Sequence, residues 1–225
     1  MSDKILIVNY KAYIHAFTQN GITIAEAARK LRAKLSSTRI ILAVPSPLLY
    51  KILEVYDDVY LQHVDPVSPG SHTGFLPAKA LEYLPVKGTL VNHSEHKLVY
   101  RSITQIIDDV RSVGKEVVAC ADTPGEAAGL AYIRPTMIAV EPPELIGTGI
   151  PVSKAKPEII TNGVKAVHSI DPSIPVLAGA GITSGEDAVK SLELGASGVL
   201  VASAIVKAKD PAGKLEELAI AMDTF

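Results

Sequence analysis

Cysteine is nearly absent: the chain holds only Cys120, inside an apolar run, so no disulfide forms within one molecule and no metal cluster can be built on thiolates. Long hydrophobic stretches are missing as well. No run approaches the ~18 to 20 apolar residues of a membrane-spanning helix, and Met1 to Lys11 passes directly into a short strand without the parts of a signal peptide. Nor is there a surplus of one charge. Twenty-two Lys and Arg stand against 24 Asp and Glu, giving a net charge of −2. With no basic run and no interleaving of aromatic and basic residues, nothing points to nucleic acid or a membrane as the partner. These absences leave a soluble, cytoplasmic protein acting on a small solute as the expectation.

The chain does have apolar content, 48% over 225 residues, enough to bury a large core. That content is arranged in eight short runs: ILIVN (5 to 9), IILAV (40 to 44), VYLQHV (59 to 64), GTLVNH (88 to 93), EVVAC (116 to 120), MIAVE (137 to 141), PVLAGA (175 to 180) and GVLVAS (198 to 203). Several are almost continuously apolar, the mark of strands covered on both faces of a parallel sheet. Amphipathic segments lie between them at Ile24 to Leu35, Ile103 to Val113, Ser153 to His168, where Ser153 is placed to cap, and Asp187 to Leu194. Eight alternations without a linker predict a single-domain α/β fold over residues 1–225, a (β/α)8 barrel. The chain is short beside the ~250 residues typical of that fold, so trimmed connections are expected near Pro45 to Leu53 and Pro77 to Tyr83. The alternative is an open doubly wound sheet. It would carry a Gly-rich fingerprint after the first strand, where this chain has Asn9, Tyr10 and Lys11.

Barrel chemistry sits at the carboxyl ends of the strands. Those positions hold Asn9 and Lys11, then Asn92, His93 and Glu95, then Glu141, then Gly179 and Gly181, then Ala202 and Ser203. The set contains a cation, an imidazole, a carboxylate and two Gly-rich or small-residue turns. Such turns after the seventh and eighth strands offer backbone N–H groups to an anion, a phosphate above all. Glu141 is followed by Pro142 and Pro143, which stiffen the chain, and then by Gly147 and Gly149, which free it. An acid at the base of a stiff-stemmed, flexible-tipped loop has the parts of an active-site lid.

At this point the residues resemble the triosephosphate isomerase family, over nearly the whole chain and in the same order. Asn9-Tyr10-Lys11 resembles its Asn-Trp-Lys, Asn92-His93-Ser94-Glu95 its Gly-His-Ser-Glu, and Glu141-Pro142 with Ile146-Gly147-Thr148-Gly149 its Glu-Pro and Ile-Gly-Thr-Gly lid. The resemblance implies a TIM barrel that interconverts dihydroxyacetone phosphate and D-glyceraldehyde 3-phosphate, a step of glycolysis and gluconeogenesis, with neither metal nor cofactor. It implies Glu141 as general base, neutral His93 as electrophile, Lys11 as the stabilising cation and Asn9 as an orienting group, an assignment that belongs to the family as a long-known case of pKa tuning. Tyr10, Ile146, Gly147, Gly181, Ala202 and Ser203 are implied in substrate binding, and Glu95 in bracing Lys11. Glu144, within the lid, is expected to face solvent. A short helix is expected to begin near Glu95 and to disfavour the charged form of His93.

The chain departs from the common pattern at several places. Tyr10 replaces Trp, Asn92 Gly and His96 Arg; Pro143, Glu144 and Leu145 stand for Val-Trp-Ala, Gly181 for a Ser, and Ala202-Ser203 for a Gly pair. These changes and the shortness resemble the archaeal branch. The stretch Asp65 to Gly74, DPVSPGSHTG, is too long and turn-rich for a minimal connection and should project. By the resemblance, Thr73 reaches a neighbouring subunit's site, which implies at least a homodimer. The archaeal likeness implies a tetramer, with GEAAGLAYI (125 to 133) as a second interface. Two other readings stay open: a different cofactor-free barrel acting on a phosphorylated substrate, and an inactive barrel kept as a binding scaffold.

Overall fold

The computed structural model describes residues 4–145 and 148–225. Eight parallel strands form a closed barrel in sequence order. They are β1 (Lys4–Asn9), β2 (Thr38–Val44), β3 (Val59–Leu61), β4 (Gly88–Val91), β5 (Glu116–Ala121), β6 (Met137–Val140), β7 (Val176–Gly179) and β8 (Gly198–Val201). Closure is made by β8 pairing with β1, with Ile5 beside Gly198 and Val8 beside Val201. The open doubly wound alternative is thereby set aside.

Helices clothe the outside: α1 (Gln19–Arg32), α2 (Leu49–Leu53), α3 (Tyr100–Ser112), α4 (Pro124–Ala131), α5 (Val152–Ala155), α6 (Pro157–His168), α7 (Gly185–Glu193), α8 (Ser203–Val206) and α9 (Pro211–Thr224). Between β3 and β4 there is only a 3₁₀ turn, Ala78–Tyr83, and Ser46–Leu48 forms another just before α2. The shortness of the chain is therefore absorbed where the two proline-containing segments led one to expect it. Residues 153 to 168 form two helices, because Pro157 has no N–H to continue the first. Ser153 does not cap; it is buried within α5, and its hydroxyl lies 3.4 Å from the Asp187 carbonyl.

Strand side chains alternate between two cores. Ile5 and Ile7 of β1 point into the lumen with Ile41, Ala43, Tyr60, Leu90 and others, while Leu6 and Val8 point out to the helices. This is why the strands read as apolar on both faces. At the amino-terminal end of the lumen Arg39 donates to Asp58 (2.7 and 2.9 Å) and Glu116 (3.0 and 2.7 Å), and Tyr60 donates to Glu116. α9 is bolted to the start of β2, where Asp223 accepts from the backbone N–H groups of Ser36 and Ser37. Among the described residues no helix is long and apolar enough to cross a membrane.

Candidate active site

The carboxyl ends of β1, β4, β6, β7 and β8 converge. Asn9, the last residue of β1, is buried, and its Oδ1 accepts from the Lys11 backbone N–H at 3.0 Å. That contact holds Lys11 in a left-handed turn with φ +48°, an arrangement uncommon for a residue with a long side chain. The turn carries the ammonium inward, and Nζ donates to Glu95 Oε1 at 2.8 Å.

His93 follows β4 at a sharp bend. Asn92 takes φ +59°, a conformation Asn tolerates better than most residues, so it can occupy a position where glycine would be free. Its amide nitrogen donates to the Cys120 carbonyl at 2.9 Å and to Glu126 at 2.8 Å, and its oxygen accepts from the Leu98 N–H at 3.0 Å. No helix begins at Glu95; residues 93 to 96 form a turn closed by the His96 N–H on the His93 carbonyl at 2.7 Å, and α3 starts only at Tyr100. The turn still aims one N–H at the ring: Glu95 N–H donates to His93 Nδ1 at 3.1 Å. With Nδ1 an acceptor, the neutral imidazole carries its proton on Nε2. Burial is the largest influence on this ring and Lys11 adds to it, so the imidazolium is disfavoured and its pKa pushed down despite Glu95.

Glu141 leaves β6 with its N–H donating to the Ala121 carbonyl at 2.8 Å, and it is 2% exposed. Its Oε2 lies 3.2 Å from His93 Nε2, but no donor is aligned on that oxygen. Burial raises the pKa of Glu141 to about 7, with Lys11 opposing and Glu95 and Asp122 adding. The carboxyl group needs Gly179 beneath it: a Cβ there would lie 2.3 Å from Glu141 Cγ.

A cleft is lined by Lys11, Tyr13, His93, Glu141, the β7 turn (Ala180 to Thr183) and the β8 exit (Ala202, Ser203). Gly181 has φ +72° and passes so close to the Ile150 carbonyl that any Cβ would collide with it. The Val152 N–H bonds the Ala180 carbonyl at 3.3 Å, so the far stem of the 142–151 loop rests on this turn. Gly149 also lines the cleft, and Thr148 Oγ1 donates to the Leu145 carbonyl at 2.8 Å. Ile146 and Gly147 lie outside the described residues. Glu144 is exposed, as expected, and pairs at the surface with Lys156 beyond the loop.

Eight parallel strands, a carboxylate and a neutral imidazole 3.2 Å apart, and a cation beside them narrow the possibilities but do not name a family. The sequence as a whole does: residues 4–221 match the family model described as triosephosphate isomerase. The chain belongs to the triosephosphate isomerase family. It is 44% identical over 214 residues to a triosephosphate isomerase of Archaeoglobus fulgidus, covering 95% of this chain and 96% of that one. The protein of that name from Methanocaldococcus jannaschii is 41% identical over 214 residues (95% and 98%), and that of Caldivirga maquilingensis 40% over 220 residues (97% of each).

Not every residue the family resemblance implied reaches the cleft. Tyr10 is fully buried between the barrel and α1, where its hydroxyl donates to the Gly21 carbonyl at 2.8 Å, so it supports the wall rather than facing a ligand. Asn9 lies in an adjoining cleft that shares Lys11 and His93. Thr73 sits on the exposed tip of a projecting loop whose base is pinched by Asp65, which accepts from the Leu76 N–H at 2.7 Å. Three neighbours escaped the sequence reading: Gln62, Tyr13 and Thr183. Gln62 follows β3, and its amide donates to Asn9 Oδ1 at 3.0 Å and to the Ala43 carbonyl at 3.2 Å. Its position at a strand's carboxyl end was the available signal.

Proposed function

We propose that the chain interconverts dihydroxyacetone phosphate and D-glyceraldehyde 3-phosphate by moving a proton between adjacent carbons through an enediolate. The observation that best supports this reading is the pairing of a buried carboxylate, with one oxygen lacking an aligned donor, and an imidazole whose Nε2 carries a proton 3.2 Å away. Glu141 takes the carbon proton and becomes a neutral acid; His93 Nε2–H donates to the adjacent substrate oxygen as negative charge builds there. Glu141 then returns the proton to the neighbouring carbon, while the hydroxyl proton passes from one substrate oxygen to the other by way of His93 Nε2, which gives its proton to the first and takes one back from the second. Lys11 stabilises the oxyanion and the phosphate, Asn9 orients the oxygens, and Glu95 braces Lys11. The phosphate sits against the backbone N–H groups of the turns at Gly181, Ala202 and Ser203. The segment from Pro142 to Thr148 covers it and excludes water, which would otherwise favour loss of phosphate from the enediolate.

In this reading the whole chain works as one domain in the cytoplasm, where a buried free thiol such as Cys120 stays reduced. It works as an oligomer, at least a dimer and by its archaeal likeness a tetramer, with Thr73 on the projecting loop meeting a second subunit and α4 offering a further face. Sedimentation at low concentration that gives only monomer would remove the oligomer. A coupled assay on both triose phosphates tests the activity, and Glu141→Gln tests the base. The variant is expected to lose at least a thousandfold in kcat; near wild-type turnover would overturn the assignment.

A further inference from the structure

The charge around the cleft is unfavourable for a dianion. Lys11 is the one lysine or arginine lining it among the described residues, and Glu95, at 2.8 Å, and Glu141 stand against that single positive charge. Other lysines near the rim are already neutralised by carboxylates. Lys214, whose Nζ donates to the Thr183 carbonyl at 3.3 Å, also holds Glu217 at 2.6 Å; Lys154 holds Asp187 at 2.9 Å; Lys156 holds Glu144.

Lys207 is different. It lies just beyond α8, its N–H donating to the Ser203 carbonyl at 3.0 Å, so it is one helical turn from the residues that line the cleft. Its ammonium lies 4.0 Å from the centroid of the Tyr13 ring, and that ring is itself part of the cleft wall. No ion pair to a carboxylate is made by Lys207 among the described residues. The distinction matters physically. A carboxylate partner would hold the side chain but cancel its field, whereas an aromatic ring holds it and leaves the charge unneutralised.

We propose that Lys207, perched on Tyr13, is a substrate-binding and steering residue for the phosphate dianion. Its ammonium offsets the local negative charge of Glu95 and Glu141 and draws the phosphate end toward the Ala202-Ser203 turn. The effect acts across solvent, where charges are screened within ~8 Å at physiological ionic strength, and must therefore weaken with salt. The inference rests on the proposed isomerase activity.

Initial rates for wild type and Lys207→Met on glyceraldehyde 3-phosphate, at low ionic strength and in ~0.5 M salt, test it, with phosphate-free glyceraldehyde as the uncharged control. At low salt kcat/KM of Lys207→Met is expected to fall about three- to tenfold, chiefly through KM, and the gap to close to under about twofold at high salt. Turnover of glyceraldehyde should be unchanged, and Lys207→Arg should restore most of the loss, since guanidinium also stacks on a ring. Lys207→Met within about 1.5-fold of wild type at low salt would overturn the proposal. So would a loss that is insensitive to salt or shared equally by glyceraldehyde. A wild type inactive on triose phosphates would fail the isomerase reading itself, an outcome visible before any variant is compared.

Discussion

Replacing Glu141 should make the protein more stable while making it inactive, and the size of the gain should depend on pH. The carboxyl group is 2% exposed and titrates near 7 in the folded chain, against an ordinary value of 4.5. An acid whose folded pKa is raised binds protons more readily in the folded state. Its favourable contribution is present in full below 4.5 and is lost as pH rises through 7, because the unfolded chain can ionise the group in water and the folded chain must ionise it in a dry site. At 1.36 kcal/mol per pH unit the penalty at pH 8 is about 3 kcal/mol, shrinking to under about 1 kcal/mol at pH 5. Glu141→Gln removes the ionisable group and keeps its shape, so the variant should gain on wild type as pH rises. With roughly 2–4 °C of Tm per kcal/mol for a chain of this size, the difference should grow by about 5–10 °C between pH 5 and 8. Thermal unfolding followed by circular dichroism across that range is the measurement. A Tm difference that stays flat with pH, or a variant that loses ground above pH 7, would show that the carboxylate is not held in a desolvated site.

The same titration predicts that kcat/KM falls as pH drops below about 7, with the neutral His93 contributing no limb above it; a pH–rate profile checks this. Gly179→Ala should cut kcat by about a hundredfold, since its Cβ would fall 2.3 Å from Glu141 Cγ and force the base to move by an ångström or so, whereas activity within threefold of wild type would disprove the fit. Tyr10→Phe should cost about 1 kcal/mol in chemical denaturation through the lost bond to the Gly21 carbonyl, while KM stays unchanged because the ring does not reach the cleft. Arg39→Met should destabilise by about 3 kcal/mol, leaving Asp58 and Glu116 facing each other without their cation at the opposite end of the barrel, with kcat preserved.

Local sequence was informative wherever its physical signal is short-ranged. The runs from ILIVN to GVLVAS had to be strands buried on both faces, and in the structure their side chains do divide between a lumen and a helix layer. The amphipathic segment at Asp187 to Leu194 is α7, opened by a reciprocal cap in which Ser184 Oγ accepts from the Asp187 N–H and Asp187 accepts from the Ser184 N–H. Besides the short α2 and α8, two longer helices went unread although their signals were there. Thr123-Pro124 with Glu126 opens α4, and Asp210-Pro211 opens α9; each pairs a capping side chain with a proline at the first helical position. Both segments are rich in alanine and glycine and show little contrast between faces, so periodicity passed over them.

By itself the sequence determined the eightfold alternation, the residue types at the strand ends and, through motifs such as Glu-Pro and Ile-Gly-Thr-Gly, the family. It could do so because period, capping and motif are local properties of a chain. Tertiary structure decided the rest. It brought Glu141 to 3.2 Å from His93 across β4 and β6, turned Tyr10 away from the cleft, set Gln62 on Asn9, and laid Lys207 over Tyr13 from the far end of the chain. Closing the barrel puts β1 beside β8, so residues 4 and 201 bound the same wall. Burial, protonation and charge balance in the cleft exist only once those distant strand ends share it.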